Sequence, residues 1–176
     1  MVTRGGIASP MAPRSAATAS ICVPPARIPR AVRALEGSGV KTCSVVGFPW
    51  EYDSSAAKAA DTAWLAAQGC DEIDMVINIG ALKARQLDVV AFDIREVVLT
   101  GHAAGALVKV ILETGLLNED EVRRACHLVV EAEAKFVKTS TGFGPRGATV
   151  ADVKLLRQLV GDKAGVKAAG GIRDAD

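Results

Sequence analysis

From about residue 20 onward, short apolar runs alternate with longer stretches of helical spacing. Residues 21–23, 42–46, 73–77, 108–112, 136–139 and 166–168 are dominated by aliphatic and β-branched side chains, the pattern of short buried strands. Between them, residues 28–37, 54–69, 87–105, 118–134 and 149–160 read as helices. Asn118 precedes Glu119, Asp120 and Glu121, where a side-chain oxygen and negative charge suit the free N–H groups of a helix start. Thr149 with Asp152 has the form of a capping box, and Gly37, Gly69 and Gly105 stand where helices would end. Strand–helix units repeated in this way predict a parallel α/β sheet with crossover helices. A doubly wound sheet and a (β/α)8 barrel share the pattern. No GxGxxG follows an early strand, whereas Gly142, Gly144, Gly170 and Gly171 come late, which favours the phosphate loops of a barrel.

The polar residues that interrupt these apolar runs carry the chemistry. Lys138 lies inside Phe136-Val-Lys-Thr-Ser-Thr-Gly142, and Lys167 inside Val166-Lys-Ala-Ala-Gly-Gly171. Burying an ammonium without a partner is costly, so each needs a counter-charge or a reason to be neutral. By strand alternation, Asp74, Lys109, Lys138 and Lys167 all project into the barrel interior, while Val137 and Val166 face the helices. Strands lie about 4.8 Å apart, so Lys138 and Lys167 at similar height would repel, and repulsion lowers the pKa of an amine. Lys138 is then a candidate Schiff-base nucleophile and Asp74 a candidate for moving protons. A structural ion pair with Asp74 is the alternative for any one of these lysines. Gly142, Gly170 and Gly171, with the hydroxyls of Thr139, Ser140 and Thr141 and the charge of Arg173, form a candidate phosphate grip.

Composition narrows the function classes. Twenty-one basic against 20 acidic residues leave a net charge of +1, which implies neither nucleic acid nor an anionic membrane as partner. Aromatics make up only 4%, which weakens a base-stacking role. Cys22, Cys43, Cys70 and Cys126 lack CxxC spacing, and His102 and His127 are the only histidines. Reduced thiols in a cytoplasmic protein are expected, with no metal site and no catalytic triad. No apolar stretch reaches the roughly 20 residues that span a bilayer. Residues 1–19 are rich in Gly, Ala, Ser and Pro, and the first acidic residue is Glu36. They are expected to form a disordered or non-native leader, with residues 20–176 as the folded domain.

The segments Val46-Gly-Phe-Pro49, Asp71-Glu-Ile-Asp-Met-Val-Ile-Asn-Ile-Gly-Ala-Leu82, Val108-Lys-Val-Ile-Leu-Glu-Thr114, Phe136 to Gly144 and Gly165 to Arg173 together resemble the deoxyribose-phosphate aldolases, a class I aldolase family. The resemblance implies a TIM-barrel enzyme of deoxyribonucleotide catabolism. Such an enzyme reversibly cleaves 2-deoxy-D-ribose 5-phosphate to acetaldehyde and D-glyceraldehyde 3-phosphate, without metal or organic cofactor. It implies Lys138 as the Schiff-base lysine, Lys167 as the neighbour that tunes it, Asp74 as the proton-transfer carboxylate and Lys109 as a supporting inward charge. Cys22 matches a strand cysteine near the substrate. The family's first strand, with its Asp-His-Thr-Leu-Leu segment, and its eighth, with a Gly-x-Ser-Ser loop, have no counterpart here. The expectation is therefore an incomplete barrel of about six units, strands two to seven, whose open edges invite association, a homodimer among the outcomes. A non-catalytic fragment acting as an interaction module and another phosphosugar Schiff-base lyase are the alternatives.

Overall fold

In the computed structural model, residues 18–172 are described. The strands are β1 Ser20–Cys22, β2 Lys41–Val46, β3 Glu72–Val76, β4 Leu107–Ile111, β5 Phe136–Lys138 and β6 Gly165–Lys167. All pair in parallel, in the spatial order β1-β2-β3-β4-β5-β6. Each crossover therefore returns to the adjacent strand. A doubly wound sheet would reverse its strand order at a switch point; this sheet does not, so it is wound as a barrel. Among the described residues β1 and β6 each pair along one edge only, and the barrel is incomplete.

The helices are α1 Ile28–Leu35, α2 Ser55–Ala67, α3 Ile79–Lys83, α4 Leu87–Ala103, α5 Glu119–Glu131 and α6 Val150–Val160. Both expected capping boxes are formed. Asn118 accepts from Glu121 N at 2.9 Å while Glu121 accepts from Asn118 N at 2.8 Å. Thr149 and Asp152 exchange the same pair of bonds, each at 3.1 Å. The short α3 is not expected from periodicity, because five residues hold barely more than one turn. Its signal is Asn78, whose side chain accepts from Ala81 N at 2.8 Å.

The core fills the space between sheet and helices. Ile73, Met75, Val108, Val110 and Val137 from the strands pack with Leu65, Ile94, Val97, Val129 and Leu156 from the helices, all fully buried. At Gly101 α4 comes so close to β4 that a Cβ would stand 2.6 Å from Val108 Cγ2. Among the described residues, no helix is long and apolar enough to cross a membrane.

Candidate active site

Strand alternation puts the ionisable residues on the face opposite the helix-packed valines. Asp74 on β3 is register partner to Lys109 on β4, and Lys138 on β5 is partner to Lys167 on β6. A flat sheet would hold β3 and β6 about 14 Å apart, too far for the two side chains to bridge. The curl of the barrel closes that distance. Lys138 Nζ donates to Asp74 Oδ2 at 2.7 Å, Lys109 Nζ to Asp74 Oδ1 at 2.9 Å, and Lys167 Nζ lies 3.5 Å from Asp74 Oδ2. The structure thus brings Asp74, Lys109, Lys138 and Lys167 together around one carboxylate.

That carboxylate is fully buried. Burial by itself pushes the Asp74 carboxyl up. The charges of Lys138 and Lys109, and the hydrogen bonds both donate, outweigh it and hold the group down at about 2. Asp74 is therefore an anion throughout the neutral range. For Lys109, burial works against the ammonium, but Asp74 and Glu72 more than compensate and its amine titrates above its ordinary range. Lys109 Nζ also donates to Glu72 at 2.8 Å, so its three protons go to protein partners, with Cys43 Sγ at 3.7 Å. Lys138 is buried and Lys167 half-buried, the latter 33% exposed in its side chain.

The glycines expected at the phosphate grip lie in the loops after β5 and β6, and those loops touch. Gly142 and Gly170 both have positive φ, 90° and 83°. A Cβ on Gly170 would stand 3.0 Å from Gly147 Cα and 3.3 Å from Gly142 Cα. Gly171 follows at φ 80°, and Arg173 lies outside the described residues. Two of the nearby hydroxyls are engaged within the protein. Thr139 Oγ1 donates to Ala169 O at 3.2 Å and accepts from Ala169 N at 3.0 Å. Thr141 Oγ1 donates to Glu113 Oε2 at 2.5 Å. Ser140 Oγ is buried with no hydrogen-bond partner.

Residues absent from the sequence-based reading also build the site. Glu113 is the clearest: buried, in left-handed backbone at φ 56°, it accepts from both the N–H and the hydroxyl of Thr141. Its position directly after an apolar run and before Gly115 was the available signal. Phe48 meets Phe143 edge-on with ring centroids 5.6 Å apart. The two rings close one side of a cavity of about 470 Å³, also lined by Cys22, Val23 and Val45. Cys22 is exposed at that cavity, and its Sγ, Cys43 Sγ and an Asp74 oxygen lie within 4.8 Å of one another. Among the described residues this is the one cluster with metal-ligand chemistry. Both Asp74 oxygens are already taken by lysine ammonium groups, which makes it a thiol pair beside a salt-bridged carboxylate.

Residues 7–176 match the sequence profile of the DeoC/LacD family aldolases. The chain belongs to the DeoC/LacD aldolase family. It is 53% identical over 156 residues to the deoxyribose-phosphate aldolase of Carboxydothermus hydrogenoformans, covering 88% of this chain and 68% of that one. To the Bacillus subtilis deoxyribose-phosphate aldolase it is 51% identical over 155 residues, 88% of this chain and 69% of the relative. Among solved structures, the aldolase QR15 superposes with a TM-score of 0.83 at 36% identity, over 88% of this chain and 68% of that one. The deoxyribose phosphate aldolase of Aeropyrum pernix, described as a unique tetramer, gives a TM-score of 0.78 at 31% identity, over 86% and 64%. The incomplete barrel is thus of the TIM-barrel type found in DeoC/LacD aldolases.

Proposed function

We propose that this DeoC/LacD family aldolase reversibly cleaves 2-deoxy-D-ribose 5-phosphate to acetaldehyde and D-glyceraldehyde 3-phosphate through a Schiff base on Lys138. The observation that carries the reading is the contact of Lys138 Nζ with the buried Asp74 carboxylate at 2.7 Å, with Lys167 at the same register on the next strand.

Lys138, after its ammonium has released one proton to solvent, attacks the C1 carbonyl of the open-chain sugar. Loss of water from the carbinolamine leaves an iminium on Nζ. Removal of the C3 hydroxyl proton then breaks the C2–C3 bond, and the electron pair moves into the iminium as an enamine. Protonation at C2 and hydrolysis release acetaldehyde and return the amine. Asp74 Oδ2 is the acceptor nearest the nitrogen and, as an anion at neutral pH, is suited to move these protons directly or through water. Lys109, itself anchored by Glu72, holds Asp74 in place from its other oxygen. Lys167 supplies a second positive charge facing the same carboxylate oxygen as Lys138. Backbone N–H groups of the loops carrying Gly142, Gly170 and Gly171 are the proposed phosphate site, with Arg173 adding charge. Cys22, which lines the apolar cavity and stands close to Asp74, is the proposed contact to the sugar on that side.

Four unpaired cysteines fit a reducing cytoplasmic setting, and cleavage of a sugar phosphate is itself a step of carbohydrate catabolism. Borohydride reduction in the presence of 2-deoxyribose 5-phosphate or acetaldehyde tests the reading. A two-carbon adduct on Lys138 in the tryptic map is expected. Folded protein that traps nothing, or traps on another lysine, overturns it.

A further inference from the structure

Cys43 has no part in the chemistry above, yet it sits beside Cys22 in a way that packing alone does not require. The two are register partners on the parallel strands β1 and β2. Adjacent strands place partner Cα atoms about 4.8 Å apart, inside the 4.4–6.8 Å range that a disulfide tolerates. Both side chains point to the barrel interior, where their sulfurs lie within 4.8 Å of each other. Cys22 is exposed at the cavity of about 470 Å³, whereas Cys43 is fully buried behind it. One thiol is thus open to a small oxidant and the other is shielded from it. We propose that Cys22 and Cys43 form a peroxide-sensitive dithiol that closes to a disulfide across β1 and β2, next to Asp74.

The electrostatics of the pocket favour the first step. The hydrogen bond from Cys43, against burial and Asp74 but with the charges of Lys138 and Lys167, brings the Cys22 thiol down to about 7. The same hydrogen bond, together with burial, pushes the Cys43 thiol up. Cys70 and Cys126 differ: burial pushes them up to about 11 and about 12.

In the first step the Cys22 thiolate attacks hydrogen peroxide. An S–O bond forms, the O–O bond breaks, hydroxide leaves, and Cys22 becomes a sulfenic acid. That removes the thiolate which kept Cys43 protonated, and Lys109 Nζ at 3.7 Å offers the Cys43 sulfur a cation as its proton departs. Cys43 then attacks the Cys22 sulfur. The S–S bond forms, the S–O bond breaks, and water leaves with the Cys43 proton. Overall, the two thiols lose two electrons and two protons, and peroxide is reduced to water.

Closing the bridge takes away the thiol proton of Cys43, whose sulfur stands 3.4 Å from Asp74 Oδ1 and can otherwise turn it toward that carboxylate. It also removes the Cys22 charge that faces Lys138 and Lys167. Oxidation is therefore expected to lower trapping on Lys138 reversibly, a consequence that rests on the Schiff-base reading.

The test is titration of the full chain with hydrogen peroxide, alkylation without reductant, and peptide mapping. The expected product has lost two hydrogens, carries a Cys22–Cys43 cross-linked peptide and regains both thiols with dithiothreitol. In Cys43→Ser, peroxide should instead carry Cys22 on to the sulfinic acid. Wild-type protein that accumulates Cys22 sulfinic acid with Cys43 still alkylated overturns the proposal, and so does protein in which neither thiol reacts. These mass readouts do not depend on catalysis. If Lys138 traps nothing before peroxide is added, the Schiff-base reading fails while the bridge is still measured.

Discussion

Asp74 decides the chemistry at the residue scale. Three ammonium groups meet one fully buried carboxylate, and removing its charge leaves them facing one another. Asp74→Asn is expected to lower kcat about 10²–10⁴-fold, the range for a lost acid–base group, and steady-state kinetics checks it. The same residue links stability to pH. Its folded value is depressed from an ordinary 3.8 to about 2, so its contribution is present above about pH 4 and lost as pH falls toward 2. The shift is worth on the order of 2 kcal/mol. Urea midpoints measured between about pH 5 and pH 2 should therefore fall more steeply for wild type than for Asp74→Asn. Asp74 and the lysines were legible in the sequence because a charge inside an apolar run has few innocent explanations. Glu113 and Cys43 were not. A carboxylate in a loop and a cysteine in a strand are ordinary until the neighbouring chain is seen.

At the scale of elements, one helix is pinned by charge rather than by apolar contact alone. Lys58 of α2 is fully buried and contacts Glu51 at 2.7 Å, Asp93 of α4 at 2.8 Å and Val76 O of β3 at 3.0 Å. Breaking a buried pair by removing one partner leaves the other charge uncompensated, at about 3–5 kcal/mol. Lys58→Met should cost that much in urea unfolding. Lys58→Met with Asp93→Leu should recover part of it, because the more deeply buried of the two carboxylates left stranded is then gone while Glu51 remains. Periodicity predicted α2 correctly, but a lysine in an alanine-rich helix reads as a solvated position. Only the packing of α2 on α4 turns it inward. The helix starts at Asn118 and Thr149 were readable for the opposite reason: a capping box is closed within four residues, so nothing distant is needed to form it.

For the whole molecule, the outer surface carries a further expectation. α4 exposes Val89, Phe92 and Leu99, and α2, packed against it, exposes Trp64. Apolar side chains gathered on paired helices suit a contact between copies. Sedimentation velocity should show a homodimer, and Phe92→Asp with Leu99→Asp should shift it to monomer while borohydride trapping on Lys138 persists. Strand and helix alternation, the inward direction of the charged residues and the family itself were determined by the sequence, because each rests on local periodicity or a contiguous motif. The incomplete barrel was expected from the sequence too, whereas the tertiary structure alone decided which atoms meet: the convergence of the β4, β5 and β6 lysines on one oxygen or the other of a β3 carboxylate, and the pairing of Cys22 with Cys43. Those contacts join residues far apart in the chain. Strand register brings Cys22 to Cys43 and Lys109 to Asp74, and the curl of the sheet brings the β5 and β6 lysines within reach of Asp74.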